Sequence, residues 1–221
     1  MKAFSWSFSK LKNFETCPKK HYEVDLARNY KEESEHLLWG NTVHKALENA
    51  VLGRQSLPAE MTKYQKFVSS IQKANGKIEV EKQFALDKNF SPCPYFDKGA
   101  WYRGKADVIA INGENALAVD WKTGKIQKDS VQLMLMAQCI FAHYPSVKTV
   151  RTMYVWLQED AVSTEDFDRQ EVANSWIGLL LRVKLMQDAY DTQTYHPKPS
   201  GLCRKHCPVV SCPHHGKGVR G

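Results

Sequence analysis

The sequence lacks the features that mark membrane, secreted and repeat proteins. No apolar run approaches the roughly 20 residues that span a bilayer. The opening MKAFSWSFSKLKNF has no secretory hydrophobic region, and the chain shows no internal repeat or low-complexity tract. We therefore expect a cytoplasmic location. A chain of 221 residues can bury a sizeable core, so we also expect a single domain over residues 1–221.

The chain has fewer acidic than basic side chains. The 31 Lys and Arg side chains outnumber the 24 Asp and Glu side chains, which gives a formal net charge of +7. A basic surface attracts phosphate polymers and speeds their capture. Nucleic acid is therefore a candidate partner, although many basic proteins bind none.

The hydrophobic pattern predicts an α/β fold. Short helical pieces are expected over residues 5–25, with Ser7 or Ser9 as the first cap, and longer helices at 34–52, 59–74, 130–144 and 168–190. Asp168 and Glu171 resemble a capping box for the last helix. Strands are expected at 77–86, 101–111, 115–122 and 147–158, with a hairpin turn at Asn112-Gly113. This order indicates a central mixed β-sheet flanked by helices.

The segment LAVDWKTGK (117–125) places a carboxylate and an ammonium together at a strand end. Residues two apart share a strand face, so Asp120 and Lys122 point the same way. The hairpin would bring Asp107, which interrupts the preceding apolar run, beside that pair. Carboxylates hold hard divalent cations, and a neighbouring lysine can orient water and offset charge on a phosphate. A plain strand-end ion pair would give the same local pattern.

The ordered motifs resemble the RecB-like branch of the PD-(D/E)xK nuclease superfamily, which includes AddB-type exonucleases. The family elements occur in order over about residues 5–215. They are Phe8-Ser9-x-Leu11 with Cys17-Pro18, Gly40-Asn41-Thr42-Val43-His44, Glu81, Gly104-Lys105-Ala106-Asp107, Asp120-Trp121-Lys122-Thr123-Gly124 and Gln132. Each element is weak alone, and the ordered set is specific. The resemblance implies a restriction-endonuclease-like α/β core.

The same resemblance implies a role for each of six side chains. The implied Mg²⁺ or Mn²⁺ ligands are Asp107, Asp120 and His44; Lys122 would be the catalytic lysine, Gln132 would position the substrate strand, and Glu81 would complete the acidic site. The implied activity is metal-dependent hydrolysis of DNA by an exonuclease acting in recombination, repair or DNA-end processing. A compact domain without a visible helicase would fit a phage-encoded enzyme.

Several positions keep a second interpretation. The family often has Tyr four residues after the Gln, and this chain has Met136 there. Glu79 and Glu81 share a strand face, so periodicity does not separate them, and the family pattern favours Glu81. Taken alone, His44 and Gln132 would be polar surface residues of helices. Three tryptophans are expected in the core rather than against nucleic-acid bases: Trp39, Trp101 and Trp121.

The chain has six cysteines, and three lie close together as Cys203-x3-Cys207-x4-Cys212. In a reducing compartment such spacing suggests a metal rather than disulfides. Some RecB-like nucleases join their chain ends through a [4Fe–4S] cluster with one N-terminal and three C-terminal cysteines, and here Cys17 would be the fourth ligand. Their usual tail spacing is Cys-x2-Cys-x5-Cys, so the middle cysteine is shifted by one. Zinc is an alternative that adds His206, His214 and His215, and a tail of reduced thiols is another. The remaining cysteines are expected to be ordinary: Cys93 and Cys139.

Three functions are thus open on the sequence. The first is a metal-dependent DNA exonuclease. The second is a non-catalytic module or scaffold that binds DNA ends with the same fold. The third is a zinc-binding interaction protein. The complete set of Asp107, Asp120 and Lys122 favours the enzyme, while strand preference, digestion polarity and oligomeric state stay open.

Overall fold

The computed structural model describes residues 3–217, which fall into two compact units. One unit consists of Met1–Ser34 with Trp176–Gly221, and the other consists of Glu35–Ser175. Within the described residues, no helix is both long enough and apolar enough to cross a bilayer.

The unit Glu35–Ser175 is built on a five-stranded mixed sheet. Its strands lie in chain order: β1 (Lys77–Leu86), β2 (Tyr102–Asn112), β3 (Asn115–Lys122), β4 (Thr149–Trp156) and β5 (Ala161–Asp168). Neighbouring strands pair antiparallel except for β3 and β4, which are parallel. The predicted α/β fold with a central mixed sheet is confirmed.

The predicted hairpin joins β2 to β3. Asn112 pairs with Asn115 across a two-residue turn, and Gly113 has a φ of 59°. Tight hairpin turns of this length favour left-handed backbone, which glycine adopts without a steric penalty. The turn fixes the register of the two strands that carry Asp107 and Asp120.

Three helices of this unit bury their apolar sides against the sheet. The helices are α3 (Glu35–Val51), α4 (Gln65–Gln72), which follows a 3₁₀ segment at Ala59–Tyr64, and α5 (Val131–His143). Side chains of α3 and α4 form one core with strand residues that include Val108, Val119 and Trp121. The α5 crossover between the parallel strands is buried along Leu133–Phe141, as expected of a helix that is apolar all round.

The sequence missed β5 and began the last helix too early. Residues Ala161–Asp168 form an edge strand with alternate residues exposed, so they carry too few apolar side chains to resemble a buried strand. Asp168 caps a turn instead of a helix, since its Oδ1 accepts a hydrogen bond from the Gln170 N–H at 2.8 Å. Helix α6 begins at Trp176 and ends at Asp191.

The three tryptophans expected in the core differ in exposure. Trp101 and Trp121 are buried, as expected. The expectation for Trp39 is wrong, since its side chain is 40 % exposed near the start of α3. Helical periodicity puts Val43 and Leu47 on the buried side of α3, and Trp39 lies at the margin of that side.

The unit Met1–Ser34 with Trp176–Gly221 is helical. It contains α1 (Phe8–Thr16), α2 (Pro18–His21), a π-helical turn at Tyr22–Leu26, α6 and a 3₁₀ turn at Gly201–Arg204. Ser7 caps α1 by accepting a hydrogen bond from the Lys10 N–H at 3.4 Å. Arg182 of α6 makes a two-point ion pair with Glu15 of α1, with Nε···Oε1 at 2.5 Å. Of the predicted Cys/His-rich tail, 195–221, residues 218–221 lie outside the described part of the chain.

We predict that Leu47→Ala strongly destabilises the sheet-bearing unit. Leu47 is fully buried between α3 and the sheet, and truncation of such a leucine costs about 2–5 kcal/mol of unfolding free energy. Urea unfolding followed by far-UV circular dichroism would measure the loss. Leu38→Ala on the exposed side of the same helix is the control, with an expected change within about 0.5 kcal/mol. Equal losses in the two variants would contradict this packing.

Candidate active site

The site is organised around an interruption between β2 and β3. Their pairing extends from Asn112↔Asn115 to Val108↔Val119, and β3 then continues to Lys122 paired with β4 alone. The Asp107 carboxylate fills the opening, and its Oδ2 accepts a hydrogen bond from the Trp121 backbone N–H at 2.8 Å. A carboxylate therefore replaces a strand carbonyl as the partner of that N–H, and it is anchored by main chain.

Three ligand-type side chains converge on this interruption. His44 comes from α3, Glu81 from β1 and Asp107 from β2, and one potential ligand atom from each lies within 4.8 Å of the others. His44 Nδ1 is 3.2 Å from Asp107 Oδ1. Among residues 3–217 this is the only such group of three or more His, Cys, Asp or Glu side chains. The sequence placed all three in the candidate site.

The backbone at Glu81 separates it from Glu79. Glu81 has a φ of 53°, and the β1–β2 ladder passes from Val80↔Val108 to Lys82↔Ala106 without pairing Glu81 with Asp107. A left-handed glutamate is costly in a strand, so the local structure must impose it. Glu79 instead contacts Lys82 at 2.6 Å and Tyr144 at 3.1 Å. The structure thus brings Glu81, and not Glu79, to His44.

A second group closes a ring of contacts at the end of β3. Gln132 Nε2 donates to Asp120 Oδ1 at 2.6 Å, and Lys122 Nζ donates to Gln132 Oε1 at 2.8 Å. Lys122 Nζ also lies 2.6 Å from Asp120 Oδ2 as an ion pair. Gln132 on the first turn of α5 therefore orients both strand residues. Met136, one turn further on, is buried and takes no part in this ring.

Asp120 is a buried acid with a partner on each oxygen. Its side chain is among the few buried charged groups, Oδ1 accepts a hydrogen bond from Gln132, and Oδ2 faces the Lys122 ammonium at 2.6 Å. Burial, together with the nearby charge of Asp107, raises the pKa of Asp120 to about 6, even though Lys122 and His44 oppose that rise. Further positive charge near Asp120 would favour its ionised form.

His44 is biased toward its protonated form. Burial alone lowers the pKa of His44, but its hydrogen bond to Asp107 and the charges of Asp107 and Asp120 raise it above the ordinary value. The imidazole thus acts as a partial counter-charge to the carboxylates. It must lose its proton before a ring nitrogen can bind a metal.

Two features of the site had weak or no sequence signals. Tyr154 on β4 lies opposite Asp120 in the sheet, and the Lys122 ammonium sits 4.8 Å from its ring centroid. Only strand periodicity marks that tyrosine. Gly40 lets α3 approach the turn after β3, because a Cβ there would lie 3.3 Å from Thr123 Oγ1. This contact links the Gly-x-x-x-His motif to the Asp-x-Lys-Thr-Gly motif.

An open groove of about 390 Å³ leads to the acidic group. His44, Glu81 and Asp107 line one part of it, and residues of α3 extend the lining toward the start of that helix. Two lysines also face the groove, Lys45 and Lys105. The groove therefore offers both metal ligands and cations to a polyanion.

These residues fit a divalent cation. Two carboxylates and an imidazole, from Glu81, Asp107 and His44, meet within 4.8 Å. Oxygen ligands suit Mg²⁺ and Mn²⁺, and a nitrogen ligand favours Mn²⁺ over Mg²⁺. Of the predicted ligands, His44 and Asp107 belong to this group, whereas Asp120 lies outside it and contacts Lys122 and Gln132.

The four predicted cluster cysteines lie in the helical unit. Cys17, Cys203, Cys207 and Cys212 all line one cavity of about 100 Å³, together with three histidines. No three of these sulfurs meet within 4.8 Å of one another. Cys139 is buried and Cys93 lies in the β1–β2 loop, as expected of ordinary cysteines.

Comparisons with known proteins agree with this fold. The family model of the PD-(D/E)XK nuclease superfamily matches residues 5–213. Among solved structures, a presumed exonuclease from Eubacterium rectale aligns over 98% of this chain and 90% of its own, at 12% identity and a TM-score of 0.57. SSO0001 aligns over 96% and 87% at 15% identity and a TM-score of 0.46, and no conclusion rests on it. No curated protein matches the sequence.

The chain belongs to the PD-(D/E)XK nuclease superfamily, since the family match covers nearly all of it. It is a nuclease, and nucleic acid is its substrate. Nucleases of this superfamily use divalent metals, and the group of His44, Glu81 and Asp107 provides suitable ligands.

We predict that Mn²⁺ binds more tightly as the pH rises. The Asp120 carboxyl, with its pKa raised to about 6, and the His44 imidazole, with its pKa raised above the ordinary value, both lose protons on binding. Calorimetric titration from about pH 5 to about pH 8 should show affinity rising and then levelling once both groups are deprotonated.

Two variants separate the contributions. Asp120→Asn should flatten the acidic part of the pH profile, and His44→Asn the part nearer neutrality. His196→Asn, at an exposed position of the other unit, is the matched control and should leave the profile unchanged. A wild-type affinity that does not vary with pH would contradict this assignment.

Proposed function

We propose that this nuclease is a Mg²⁺- or Mn²⁺-dependent deoxyribonuclease that degrades DNA from its ends, in recombination, repair or DNA-end processing. The observation that carries the proposal is the meeting of His44, Glu81 and Asp107 beside the Asp120–Lys122–Gln132 ring, next to an open groove. The exonuclease assignment is supported further by the structural neighbour that is itself a presumed exonuclease.

The proposed chemistry assigns each side chain one task. Asp107, Asp120 and His44 would hold the divalent cation, and Glu81 would complete the acidic site. The cation, when bound, supplies the Lewis acidity that polarises a phosphate and lowers the pKa of water. Lys122, held by Asp120 and Gln132, directs its ammonium protons at the attacking water and offsets charge that develops on the phosphate.

Gln132 is a positioning residue in this proposal. Its amide contacts both Asp120 and Lys122, so one side chain fixes the separation of the carboxylate and the ammonium. A merely electrostatic pair at a strand end would need no such bridge.

We predict that Asp120→Asn and Lys122→Met each lower cleavage by at least about 100-fold, because the first removes a proposed metal ligand and the second removes the ammonium that offsets charge on the phosphate. The assay uses end-labelled linear DNA beside a closed circle, with Mg²⁺, Mn²⁺ or EDTA. Metal-dependent loss of the linear form alone is expected. Lys66→Met is the control, since Lys66 makes an exposed ion pair with Asp160 in the same unit.

Each other result of that assay rejects part of the proposal. Cutting of the circle would make the chain an endonuclease, and cutting of RNA in preference to DNA would change the substrate. Intact binding without any cleavage would favour the DNA-end-binding scaffold. Wild-type rates in either variant would remove the assigned chemistry.

We also infer that Cys17, Cys203, Cys207 and Cys212 bind a [4Fe–4S] cluster, and that both units serve one nuclease domain over residues 1–221. Two of the sulfurs already accept backbone hydrogen bonds, Cys17 from Lys198 N–H at 3.3 Å and Cys203 from Ser200 N–H at 3.4 Å. Such donors stabilise cluster thiolates. The family match, over residues 5–213, draws on both units.

The sulfurs stand wider apart than in a closed tetrahedral zinc site. Thiolates around tetrahedral zinc lie roughly 3.8 Å apart, given Zn–S bonds of about 2.3 Å. The four cysteines line one cavity, but no three of their sulfurs come within 4.8 Å of one another. Zinc stays the alternative that metal analysis must separate from iron. Burial and the neighbouring Cys203, Cys17 and Cys212 raise the pKa of the Cys207 thiol, so a cation would be needed to hold Cys207 as a thiolate.

We predict about four irons and four sulfides per chain in protein purified without oxygen. Cys207→Ser should lose the visible charge-transfer absorbance and most of the iron. Cys93→Ser, at a partly buried loop cysteine outside the cavity, should keep both. Zinc in place of iron would establish the zinc alternative, and metal-free protein of full stability would contradict both.

A further inference from the structure

Lys105 lines the groove beside the candidate metal ligands. It lies two residues before Asp107 on β2, so the two side chains share a strand face. Its ammonium pairs with the Glu81 carboxylate, while 46 % of the side chain stays exposed. Both Lys105 and Glu81 line the groove.

Glu81 cannot keep this partner and bind a divalent cation equally well. The same carboxylate belongs to the group of His44, Glu81 and Asp107. A divalent ion beside Glu81 would be coordinated by the carboxylate oxygens and would repel the Lys105 ammonium. Like charges a few ångströms apart are unfavourable even when partly solvated. The ion pair therefore competes with metal binding.

The groove gives the displaced lysine a second partner. Lys45, the other lysine in the lining, is engaged by Glu48 at 2.7 Å. A released Lys105 would thus add a cation to a cavity that leads from the metal ligands along α3. Its long flexible stem lets the ammonium swing without movement of the backbone. A backbone phosphate next to the cleaved one is the anion that a nuclease groove would present there.

We propose that Lys105 alternates between two anions: Glu81 when no divalent cation is bound, and a backbone phosphate of the nucleic-acid strand in the groove when one is bound. Lys105 is a positioning residue in this account, and the inference rests on the proposed metal-dependent nuclease function. This movement of Lys105 couples metal binding to substrate binding, since the bound cation and the bound strand both favour the lysine that has left Glu81.

The test compares Lys105→Met with wild type in two binding measurements. The first is calorimetric titration with Mn²⁺ in the absence of nucleic acid. Removal of the competing ammonium should tighten Mn²⁺ binding roughly two- to fivefold, the range expected for loss of an exposed ion pair. A lysine with a purely structural role would leave the affinity unchanged or weaken it.

The second measurement is fluorescence anisotropy of a labelled single-stranded DNA oligonucleotide, with Ca²⁺ or with EDTA. With Ca²⁺, Lys105→Met should bind roughly fivefold more weakly, and its log–log salt slope should fall by about 0.7 for one lost phosphate contact on a single strand. With EDTA the loss should be smaller, because the wild-type lysine is then engaged by Glu81.

Two further variants serve as controls. Lys148→Met removes an exposed lysine that pairs with Glu114 at 2.5 Å, and it should leave both affinities unchanged. Lys105→Arg keeps the charge and should retain most of both wild-type behaviours. Opposite changes in metal and oligonucleotide affinity are thus expected for Lys105→Met alone.

The outcomes separate this inference from the proposed function. Unchanged or weakened Mn²⁺ binding by Lys105→Met, or an equal oligonucleotide loss with Ca²⁺ and with EDTA, would overturn the role of Lys105 while leaving the nuclease proposal intact. A wild-type protein that binds neither Mn²⁺ nor the oligonucleotide would overturn both.

Discussion

The contact on which the site depends is the hydrogen bond from the Trp121 backbone N–H to the Asp107 carboxylate. It gives the Trp121 N–H a partner at the point where the β2–β3 ladder ends. Asp107 is thereby fixed by main chain and can present its second oxygen to His44. The left-handed backbone of Glu81 interrupts the β1–β2 ladder opposite Asp107, so the pairing of β2 with both of its neighbours is interrupted at the same residue. The candidate ligands lie at this interruption.

The cost of burying Asp120 explains the rest of the arrangement. A carboxylate in that position favours its neutral form, and its pKa rises to about 6. Gln132 and Lys122 each contact one oxygen of Asp120 and offset part of this cost. A divalent cation nearby would stabilise the ionised carboxylate further. Stability and chemistry compete at this residue, as they do in many active sites.

Much of the fold follows from local patterns, and the failures have physical causes. Strand alternation and the Asn112-Gly113 turn predict β1 to β3 because these strands bury one face and meet in a short loop. The edge strand β5 was missed because an edge strand needs few apolar side chains. In the site, periodicity could not separate Glu79 from Glu81, since the distinction lies in one positive φ. Tyr154 lies opposite Asp120 because of the β3–β4 register. A helix connects these two parallel strands, and the sequence does not indicate their register.

The central claim is that Asp107, Asp120 and His44, with Glu81 beside them, form one divalent metal site. The most direct measurement is anomalous X-ray scattering from crystals of the protein soaked in Mn²⁺. The account predicts a manganese peak bounded by oxygens of Asp107 and Asp120 and by a ring nitrogen of His44, at ordinary metal–ligand distances. A manganese peak elsewhere, with the Lys105–Glu81 pair intact at full Mn²⁺ occupancy, would contradict it.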